Sequence, residues 1–482
     1  MALELFQCLV PGLLAGWFVI GPDIQHSLAA IIVTYILLAA AGGTLVSVII
    51  SFIFNFSYLL VGYYFTESEG YDICWTMPHC VLSLRLIGLT FDCYDGARAK
   101  RRGQDALSRD QQRTALTQTP SLIQMLSHNF FIGGYFIGPQ IQMRKFQQCL
   151  TPTYQEDLPG SPLSYGLTRL GLGVLYLVIH LVGSMFLYSD WPASEEFINS
   201  CLLTKLLLMP LWCKITLSKY ISLWLMAEGV CVISGLSYNE VTEDEKGKQK
   251  IDWKGCANVK IVRLETSTKF GHVIEGFNIN TNNWVAVYIY KRLKFMGSRT
   301  VSQLVTLLFL AVWHGFHSGY YLVFLNEFLV IKVEREFLSI WSKSAKVSRW
   351  QSTPRGPGLI SLMGWLYVLL VLPHCLVPFV LLTYNKFVPS YLSTYCCLYV
   401  FFFTWPLWKR LVKKFLLNEN VPVREETEKI NKDETVEKAF NDKDESTAAP
   451  SKKAVITADD SSETVKTVAQ VKSESDHDKK NV

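Results

Sequence analysis

The residues best suited to chemistry lie in the apolar part of the chain, and His314 is the first of them. A mostly apolar run, residues 301–312, precedes it, and another, residues 322–331, follows it. An ionisable side chain at membrane depth is costly and usually faces a cavity or a pathway. Histidine is also the side chain best suited to accept a proton near neutral pH. His314 is therefore our candidate general base, and a buried histidine with a structural hydrogen bond is the alternative.

A polar run before His314, residues 277–283, supplies amide groups. It contains Asn278, Asn280, Asn282 and Asn283. An asparagine amide can donate a hydrogen bond to an oxyanion or orient a hydroxyl group. Most asparagines in such runs instead cap helices or form turns. The residues alone therefore do not choose among the four.

Other side chains near His314 could contact a substrate. His317 lies three residues later, on roughly the same helical face. A metal pair would need a third ligand, and Glu327 is too isolated in the sequence to supply it, so no metal site is predicted. We expect His317 to support His314 or to contact substrate. Trp313 and Tyr320 could line a lipid channel, although aromatic belts at helix ends are commoner.

A basic run follows the asparagines and contains Lys291, Arg292 and Lys294. Such residues at a cytosolic opening would suit a polyphosphorylated soluble substrate. Basic side chains that anchor helix ends at the membrane interface explain them nearly as well.

The hydrophobic residues must position these groups within a membrane. Half of the 482 residues are hydrophobic, and they fall in long runs that are typical of spanning helices. Several runs are shorter than the ~20 residues needed to cross a bilayer, which indicates segments inside protein or beside a cavity. We predict an all-α polytopic membrane protein, with about ten or more transmembrane and re-entrant helices around an internal substrate chamber. The runs are residues 3–20, 28–41, 45–64, 170–188, 202–212, 220–233, 301–316, 320–331, 359–382 and 391–408.

The distribution of charge divides the chain near residue 408. Residues 1–408 are predicted to form the membrane-embedded domain, and residues 409–482 a disordered charged tail. Basic loops and the basic start of this tail indicate that both face the cytosol. Lys479 and Lys480, fourth and third from the end, resemble a dilysine signal for retrieval to the endoplasmic reticulum. They predict an endoplasmic-reticulum membrane protein that the retrieval machinery recognises.

Three short motifs occur in a fixed order: Phe277-Asn278, Tyr290-Lys291-Arg292 and Trp313-His314-Gly315. Asn278 and His314 are 36 positions apart. Together these motifs resemble the membrane-bound O-acyltransferase family, and the wider sequence is similar to its lysophospholipid branch. The further matching stretches are residues 75–81, 92–96, 138–140 and 228–231.

The resemblance implies a reaction and roles for the site residues. His314 would act as general base on the hydroxyl of the acceptor, and Asn278, directly after Phe277, is the asparagine that the family pattern selects. A fatty acyl chain, with polyunsaturated chains as a family trait, would pass from acyl-coenzyme A to the sn-2 hydroxyl of lysophosphatidylcholine. Lysophosphatidylethanolamine and lysophosphatidylserine are further acceptors to consider. Acyl-coenzyme A is a co-substrate, and no cofactor is expected. The basic run would then contact the phosphates of coenzyme A.

Other classes of function have less support in the sequence. It contains no Gly-x-Ser-x-Gly elbow, Walker loop or dinucleotide fingerprint, which argues against hydrolase, NTPase and NAD-dependent chemistry. Its twelve cysteines are scattered and indicate neither a disulfide framework nor a zinc site. The rival is a multi-span lipid or ion transporter with His314 as proton relay, but the inverted repeats common in transporters are not visible. The expected partners are the substrates and the lipid bilayer, without nucleic acid, and a homodimer is left open.

Overall fold

A computed structural model describes residues 2–66, 74–156, 158–243 and 249–417, which all belong to one compact unit, Met1–Glu425. Helices dominate this part of the chain, and a short antiparallel hairpin is added to them. Before the hairpin lie α1 (Ala2–Ile20), α2 (Ile24–Ala41), α3 (Leu45–Thr66), α4 (Thr76–Arg102), α5 (Arg109–Thr114), α6 (Leu122–Asn129), α7 (Met143–Cys149), α8 (Pro152–Glu156), α9 (Leu163–Ser184), α10 (Glu195–Asn199) and α11 (Leu202–Ile233).

The hairpin joins β1 (Val241–Glu243) to β2 (Gln249–Ile251), with Val241 opposite Ile251. It lies in the polar interval between the two groups of helices. The elements after it are α12 (Ile261–Glu265), α13 (Phe270–Gly276), α14 (Ile279–Val285), a π turn (Ala286–Tyr290), a 3-10 turn (Lys291–Met296), α15 (Arg299–His314), α16 (Ser318–Trp341), α17 (Ala345–Gln351), α18 (Gly356–Leu381), α19 (Tyr384–Ser393), α20 (Cys397–Phe403) and α21 (Trp405–Leu417).

Five helical segments of the described chain are long and apolar enough to cross a membrane. Their outer faces carry exposed apolar side chains, for example Phe18, Phe65 and Met185, which are 78% or more exposed. So much contiguous apolar surface is unfavourable in water and suits contact with lipid. The prediction of a helical chain with membrane-length apolar segments is therefore confirmed. The segments are Leu3–Ala41, Leu45–Thr66, Leu163–Ser184, Leu202–Ile233 and Gly356–Leu381.

Two of the predicted segments, residues 202–212 and 220–233, form one continuous helix, α11. The sequence suggested a break because Lys214 and Lys219 interrupt the apolar run. Lysine is a good helix former, so it does not end a helix by itself. Lys214 forms an ion pair with Glu265, which gives its charge a partner without unwinding the backbone.

The last predicted segment, residues 391–408, is instead broken into pieces. Tyr395 and Cys396 adopt positive φ angles of 56° and 47°, and this left-handed pair separates α19 from α20. The final helix, α21, then continues through the predicted domain boundary at residue 408. Its Leu416 carbonyl accepts a hydrogen bond from the buried Ser344 hydroxyl at 2.7 Å. Lys479 and Lys480 lie outside the described residues.

The helix α4 forms the centre of the described fold. Its leucines at positions 82, 84, 86 and 89 are at most 2% exposed, so apolar side chains leave it in every direction. Leu82, Leu86 and Leu89 pack with α1, α2 and α6, and Leu84 packs with α14 and α15. Pro78 sits in the first turn, where its missing N–H costs no hydrogen bond. This stretch, which mixes a proline and charged residues with apolar ones, thus forms a largely buried helix.

The buried Arg85 of α4 holds a non-helical connection, residues 130–142, against the core. Its guanidinium donates to the carbonyls of His128, Asn129, Gly134 and Pro139 at distances from 2.7 to 3.4 Å. Backbone carbonyls that lack helical partners must be satisfied elsewhere when they are buried. Arg85 satisfies such carbonyls at the end of α6 and in the connection that follows it.

Candidate active site

His314 is the last residue of α15, at the point where the chain changes direction. Gly315 follows with a φ of 128°, in a region that favours glycine because side chains are rarely tolerated there. After His317 the chain begins α16 at Ser318. The imidazole thus lies at the end of α15, beside the turn that joins α15 to α16.

Aromatic rings surround the half-buried His314 imidazole. Ring centroids lie 4.6 Å away for Trp313, 5.4 Å for Tyr320, 5.5 Å for Phe324 and 5.4 Å for Phe379. Within the described residues the imidazole makes no hydrogen bond or ion pair. The structural alternative, a histidine satisfied by a buried hydrogen bond, is therefore not what these residues show. A ring in an apolar cage with unused nitrogen atoms is suited to accept a proton from a substrate.

Trp313 has a structural role beside this cage. Its indole N–H donates to the Cys80 carbonyl of α4 at 3.0 Å. The Tyr63 hydroxyl of α3 donates to the Trp313 carbonyl, also at 3.0 Å. With 5% of its surface exposed, Trp313 ties the end of α15 to the core and fixes the direction in which His314 points.

Close contact between α16 and α18 brings Phe379 to the histidine. The Gly319 N–H donates to the Leu382 carbonyl at 2.7 Å. A β-carbon at Gly319 would lie 1.9 Å from the Pro378 carbonyl oxygen, so only glycine permits this approach. Phe379, the next residue, then completes the cage around His314.

Asn278 is the residue before α14 and adopts a left-handed conformation, with φ 52° and ψ 43°. Its amide makes no hydrogen bond to the described residues. The Asn280 amide donates to the Ala257 and Cys256 carbonyls at 2.8 and 3.3 Å. The Asn282 amide donates to the Phe277 and Ile274 carbonyls at 3.0 and 3.1 Å. Asn280 and Asn282 thus bond to the local backbone, whereas the described residues leave the Asn278 amide without a partner.

A series of ring contacts connects the two candidate catalytic residues. Phe277 lies 4.8 Å from Trp224, Trp224 lies 6.2 Å from Tyr220, and Tyr220 lies 6.2 Å from Phe379, all between centroids. Phe379 in turn contacts His314. Three of these rings belong to one hydrophobic core together with α11 and α18. Phe277, the residue before Asn278, is therefore joined to His314 by one series of ring contacts.

The predicted phosphate contacts differ from one another in their surroundings. Lys291 forms an ion pair with Asp110. Arg292 pairs with the buried Asp95 at 2.5 Å and stacks over the Phe91 ring at 4.5 Å. A bound phosphate would have to compete with these aspartates. Lys294 is exposed, and its ammonium makes no hydrogen bond or ion pair in the described part of the chain.

His317 is the N-cap residue of α16 and Tyr320 lies in its first turn, with ring centroids 6.0 Å apart. Because α15 ends at His314, the two histidines do not share one helical face as predicted. Tyr320 is 7% exposed and contacts both histidines. Among residues 2–66, 74–156, 158–243 and 249–417, no three His, Cys, Asp or Glu side chains gather as a metal site would require.

Several residues of this region had no signal in the sequence. Phe379 and Trp224 lie in long apolar runs, where aromatic residues are common and one position does not stand out. Their contacts with His314 and Phe277 depend on how α11, α16 and α18 pack. Phe324 had a weak signal, because it lies one helical turn beyond Tyr320 on the same face.

Comparison with known proteins agrees with the order of the motifs. The family model described as membrane-bound O-acyltransferase family matches residues 33–377, which include both Asn278 and His314. Lysophospholipid acyltransferase 5 of Drosophila melanogaster is 36% identical over 429 residues, which cover 87% of this chain and 84% of that protein. The Homo sapiens protein of the same name is 38% identical over 394 residues, or 81% of this chain and 79% of that protein.

A more distant relative covers the chain almost as fully. Lysophospholipid acyltransferase 5 of Caenorhabditis elegans is 28% identical over 402 residues, or 83% of each chain. The family match spans the central helices α4, α11, α14 and α15, on which the candidate site is built. From these matches and the apolar helices, the chain is a multi-pass membrane protein and belongs to the membrane-bound O-acyltransferase family.

Proposed function

We propose that this protein transfers a fatty acyl chain from acyl-coenzyme A to the free hydroxyl of a lysophospholipid. The acceptor is the sn-2 hydroxyl of lysophosphatidylcholine, with lysophosphatidylethanolamine and lysophosphatidylserine as further acceptors. The donors are unsaturated acyl chains, polyunsaturated ones included. The names of the relatives support the acceptor class, since each is a lysophospholipid acyltransferase.

One observation carries the proposal: two polar groups of the aromatic region, the Asn278 amide and the His314 imidazole, have no hydrogen-bond partner within the described residues. Neighbouring asparagines use their amides on the local backbone. Both side chains are half-buried, so a polar group without a protein partner there is open to a hydrogen bond from a substrate. Phe277 and Phe379, which adjoin them, belong to one core, so both groups can act on the same substrate.

The reaction needs a base and a group that handles charge on the thioester oxygen. His314 accepts the proton of the sn-2 hydroxyl as that oxygen attacks the thioester carbonyl carbon. Negative charge then develops on the carbonyl oxygen, and the Asn278 amide donates a hydrogen bond to it or aligns the hydroxyl. The carbon–sulfur bond breaks, the ester forms, and His314 returns the proton to the thiolate of coenzyme A. The electrons balance without a cofactor or an acyl-enzyme.

The surroundings of the site extend the proposal to the whole molecule. About ten or more membrane-embedded segments would enclose a chamber, open to the cytosol for coenzyme A and sideways to the bilayer for the lipid. Lys294, which is exposed on the 3-10 turn before α15, would contact phosphate, and Lys291 and Arg292 would do so by exchanging aspartate for phosphate. Trp313, His317 and Tyr320 would hold the acceptor close to His314.

The proposal also includes a location. The protein would span the endoplasmic-reticulum membrane several times, as a monomer or dimer, with its C-terminus in the cytosol.

The test is acyl transfer from arachidonoyl-coenzyme A to lysophosphatidylcholine by purified protein in lipid nanodiscs. Wild type should form phosphatidylcholine and free thiol in equal amounts. In His314→Ala the rate should fall by ~10²–10⁴-fold, as is typical when a general base is removed. His180→Ala is the matched control, because His180 lies on α9 and its ring nitrogen meets only the Ile215 carbonyl and the Ser184 hydroxyl of the same region. That variant should keep the wild-type rate.

Two outcomes would count against the proposal. A folded His314→Ala protein with the wild-type rate would return His314 to a structural role. Wild type without transfer to any lysophospholipid headgroup would instead favour a transporter, in which His314 relays protons.

A further inference from the structure

The beginning of α14 departs from the usual way in which an asparagine starts a helix. An N-cap asparagine normally accepts a hydrogen bond from the N–H of the second or third helical residue with its own side chain. Asn278 occupies the N-cap position of α14 but makes no such bond. Its left-handed backbone also differs from the extended conformation of most N-cap residues. Some other group must therefore satisfy the first N–H groups of this helix.

Asn258 supplies both of the missing acceptors from a distant loop. Its carbonyl oxygen accepts the N–H of Ile279 at 3.1 Å. Its side-chain oxygen accepts the N–H of Asn280 at 2.8 Å. The residue is 2% exposed, so water does not compete for either bond. One asparagine thus caps the first two residues of α14 in place of Asn278.

The loop that carries Asn258 is fastened on both sides of that residue. The Asn280 amide donates to the Ala257 and Cys256 carbonyls. Val259 pairs with Phe277 in an isolated antiparallel bridge. The N–H of Lys260 donates to the Gly276 carbonyl at 2.9 Å. These contacts set the position of residues 276–280 as a unit.

A buried ion pair attaches this loop to the membrane helices. Arg169 of α9 donates to the Glu228 carboxylate of α11 at 2.7 Å and, through the same nitrogen, to the Val259 carbonyl at 3.1 Å. The Glu228 side chain is 1% exposed. Charge-assisted bonds in such a setting are short and directional. The position of Asn258 is therefore defined relative to α9 and α11.

We propose that Asn258 is a positioning residue for the acyl-transfer reaction: it caps α14 in place of Asn278 and so keeps the Asn278 amide available to the reacting groups. This inference rests on the proposed function, in which Asn278 acts on the substrate. Without the Asn258 oxygen, the Asn280 N–H loses its acceptor, and the side chain of Asn278 turns to cap its own helix. The amide then no longer points at the thioester.

A cycle of variants tests this assignment. The proteins are wild type, Asn258→Ala, Asn278→Ala and the double variant, each assayed for kcat and for the KM of both substrates. Because small displacements at a reaction centre cost up to ~10²-fold in rate, kcat of Asn258→Ala should fall roughly 10- to 100-fold. Both KM values should change less than about threefold. The double variant should be no slower than Asn278→Ala, since Asn258 acts only through Asn278.

Two controls separate positioning from general damage to the fold. Asn258→Ser keeps a side-chain oxygen that can accept from the Asn280 N–H, as serine does at helix N-caps, and adds no charge near the buried Glu228; it should restore part of kcat. Asn55→Ala removes an equally buried amide of α3, which bonds only within α2 and α3. That variant should lower thermal stability and leave the kcat of the folded protein at the wild-type value.

The outcomes distinguish this inference from the proposed function. A wild-type kcat in Asn258→Ala, beside an impaired Asn278→Ala, would overturn the positioning role alone. Rate losses that multiply in the double variant would overturn it as well, because Asn258 would then act independently. A wild-type kcat in Asn278→Ala would overturn the role of Asn278 and the inference with it.

Discussion

Asn278 combines an amide that makes no hydrogen bond within the described residues with a backbone conformation that few residues adopt readily. Its φ of 52° and ψ of 43° lie in the left-handed region, which costs most side chains roughly 1–2 kcal/mol and asparagine less. Asparagine suits this position for its backbone, and under the proposed function it suits it for its amide as well. These two contributions can be separated by substitution.

Replacing Asn278 with glycine should remove the amide and keep the backbone, because glycine adopts a positive φ without strain. We expect kcat to fall about 10²–10³-fold, the loss seen when one donor to an oxyanion is removed. The melting temperature should stay close to that of wild type, whereas Asn278→Ala should lower it as well. Thermal unfolding followed by tryptophan fluorescence, beside the transfer assay, measures both effects. Equal melting temperatures for the glycine and alanine variants would contradict the assignment of strain.

His272, in the polar interval outside the membrane-length helices, should make stability depend on pH. Burial and then the nearby Arg263 lower the pKa of His272 to about 4. The unfolded chain binds this proton near pH 6.5, so between about pH 6.5 and pH 4 it holds more protons than the folded protein. The contribution to stability is therefore complete above that window and is lost as the pH falls through it.

Replacing His272 with glutamine should reduce this dependence. We expect the drop in melting temperature between about pH 7 and pH 5 to be smaller in His272→Gln than in wild type. Melting curves of both proteins at the two pH values provide the measurement. An identical drop in both proteins would show that other groups account for it.

At the scale of elements, the site depends on close crossings between helices. The crossing of α16 and α18 at Gly319 brings Phe379 to His314. A second crossing joins α9 to α11, where Gly166 and Gly229 each approach the other's carbonyl oxygen, at 3.1 and 3.0 Å from a β-carbon position. Small residues at such crossings are typical of membrane helices, because they let backbones approach closely.

Replacing Gly319 with alanine should disturb both the crossing and the site. The new methyl group would meet the Pro378 carbonyl at 1.9 Å, and forcing extra volume into a packed core costs about 1–3 kcal/mol. We expect a lower melting temperature together with a lower kcat, since the aromatic cage around His314 would shift. Gly358→Ala on α18 is the control, because nothing lies within 4 Å of the added carbon. A Gly319→Ala protein as stable and active as this control would contradict the packing argument.

At the scale of the whole molecule, the described residues form a single helical unit with a strongly apolar outside. Apolar residues of α1, α3, α9 and α18 cover much of this surface, as expected of a protein whose solvent is lipid. The charged residues that follow residue 417 have a different composition. They include Lys479 and Lys480, the pair predicted to be a retrieval signal.

Replacing Lys479 and Lys480 with serine should change the location without changing catalysis. If this pair is a retrieval signal read from the cytosol, a fluorescent fusion at the N-terminus should leave the endoplasmic reticulum for later compartments. The kcat of the purified variant should equal that of wild type. Retention of the variant in the endoplasmic reticulum would remove the assignment of the signal.

The sequence by itself indicated the class of the protein and His314 as a candidate base, and the resemblance of its motifs to a family selected Asn278. Apolar runs and short motifs are local properties, so they indicate membrane helices and the family of acyltransferases without knowledge of packing. The apolar pattern wrongly predicted a break within α11, where Lys214 forms an ion pair with Glu265 and the helix continues. The leucines of α4 are recognised as buried only once the helices that pack around them are known.

Only the tertiary structure decided what surrounds those two residues. Phe379 reaches His314 because two helices touch at Gly319, and Asn258 reaches Asn280 across 22 positions of the chain. A contact between distant residues leaves no periodic pattern in a single sequence, because it depends on how whole elements pack. The motifs therefore predict which residues act, and the packing of α11, α14, α16 and α18 decides which residues surround them.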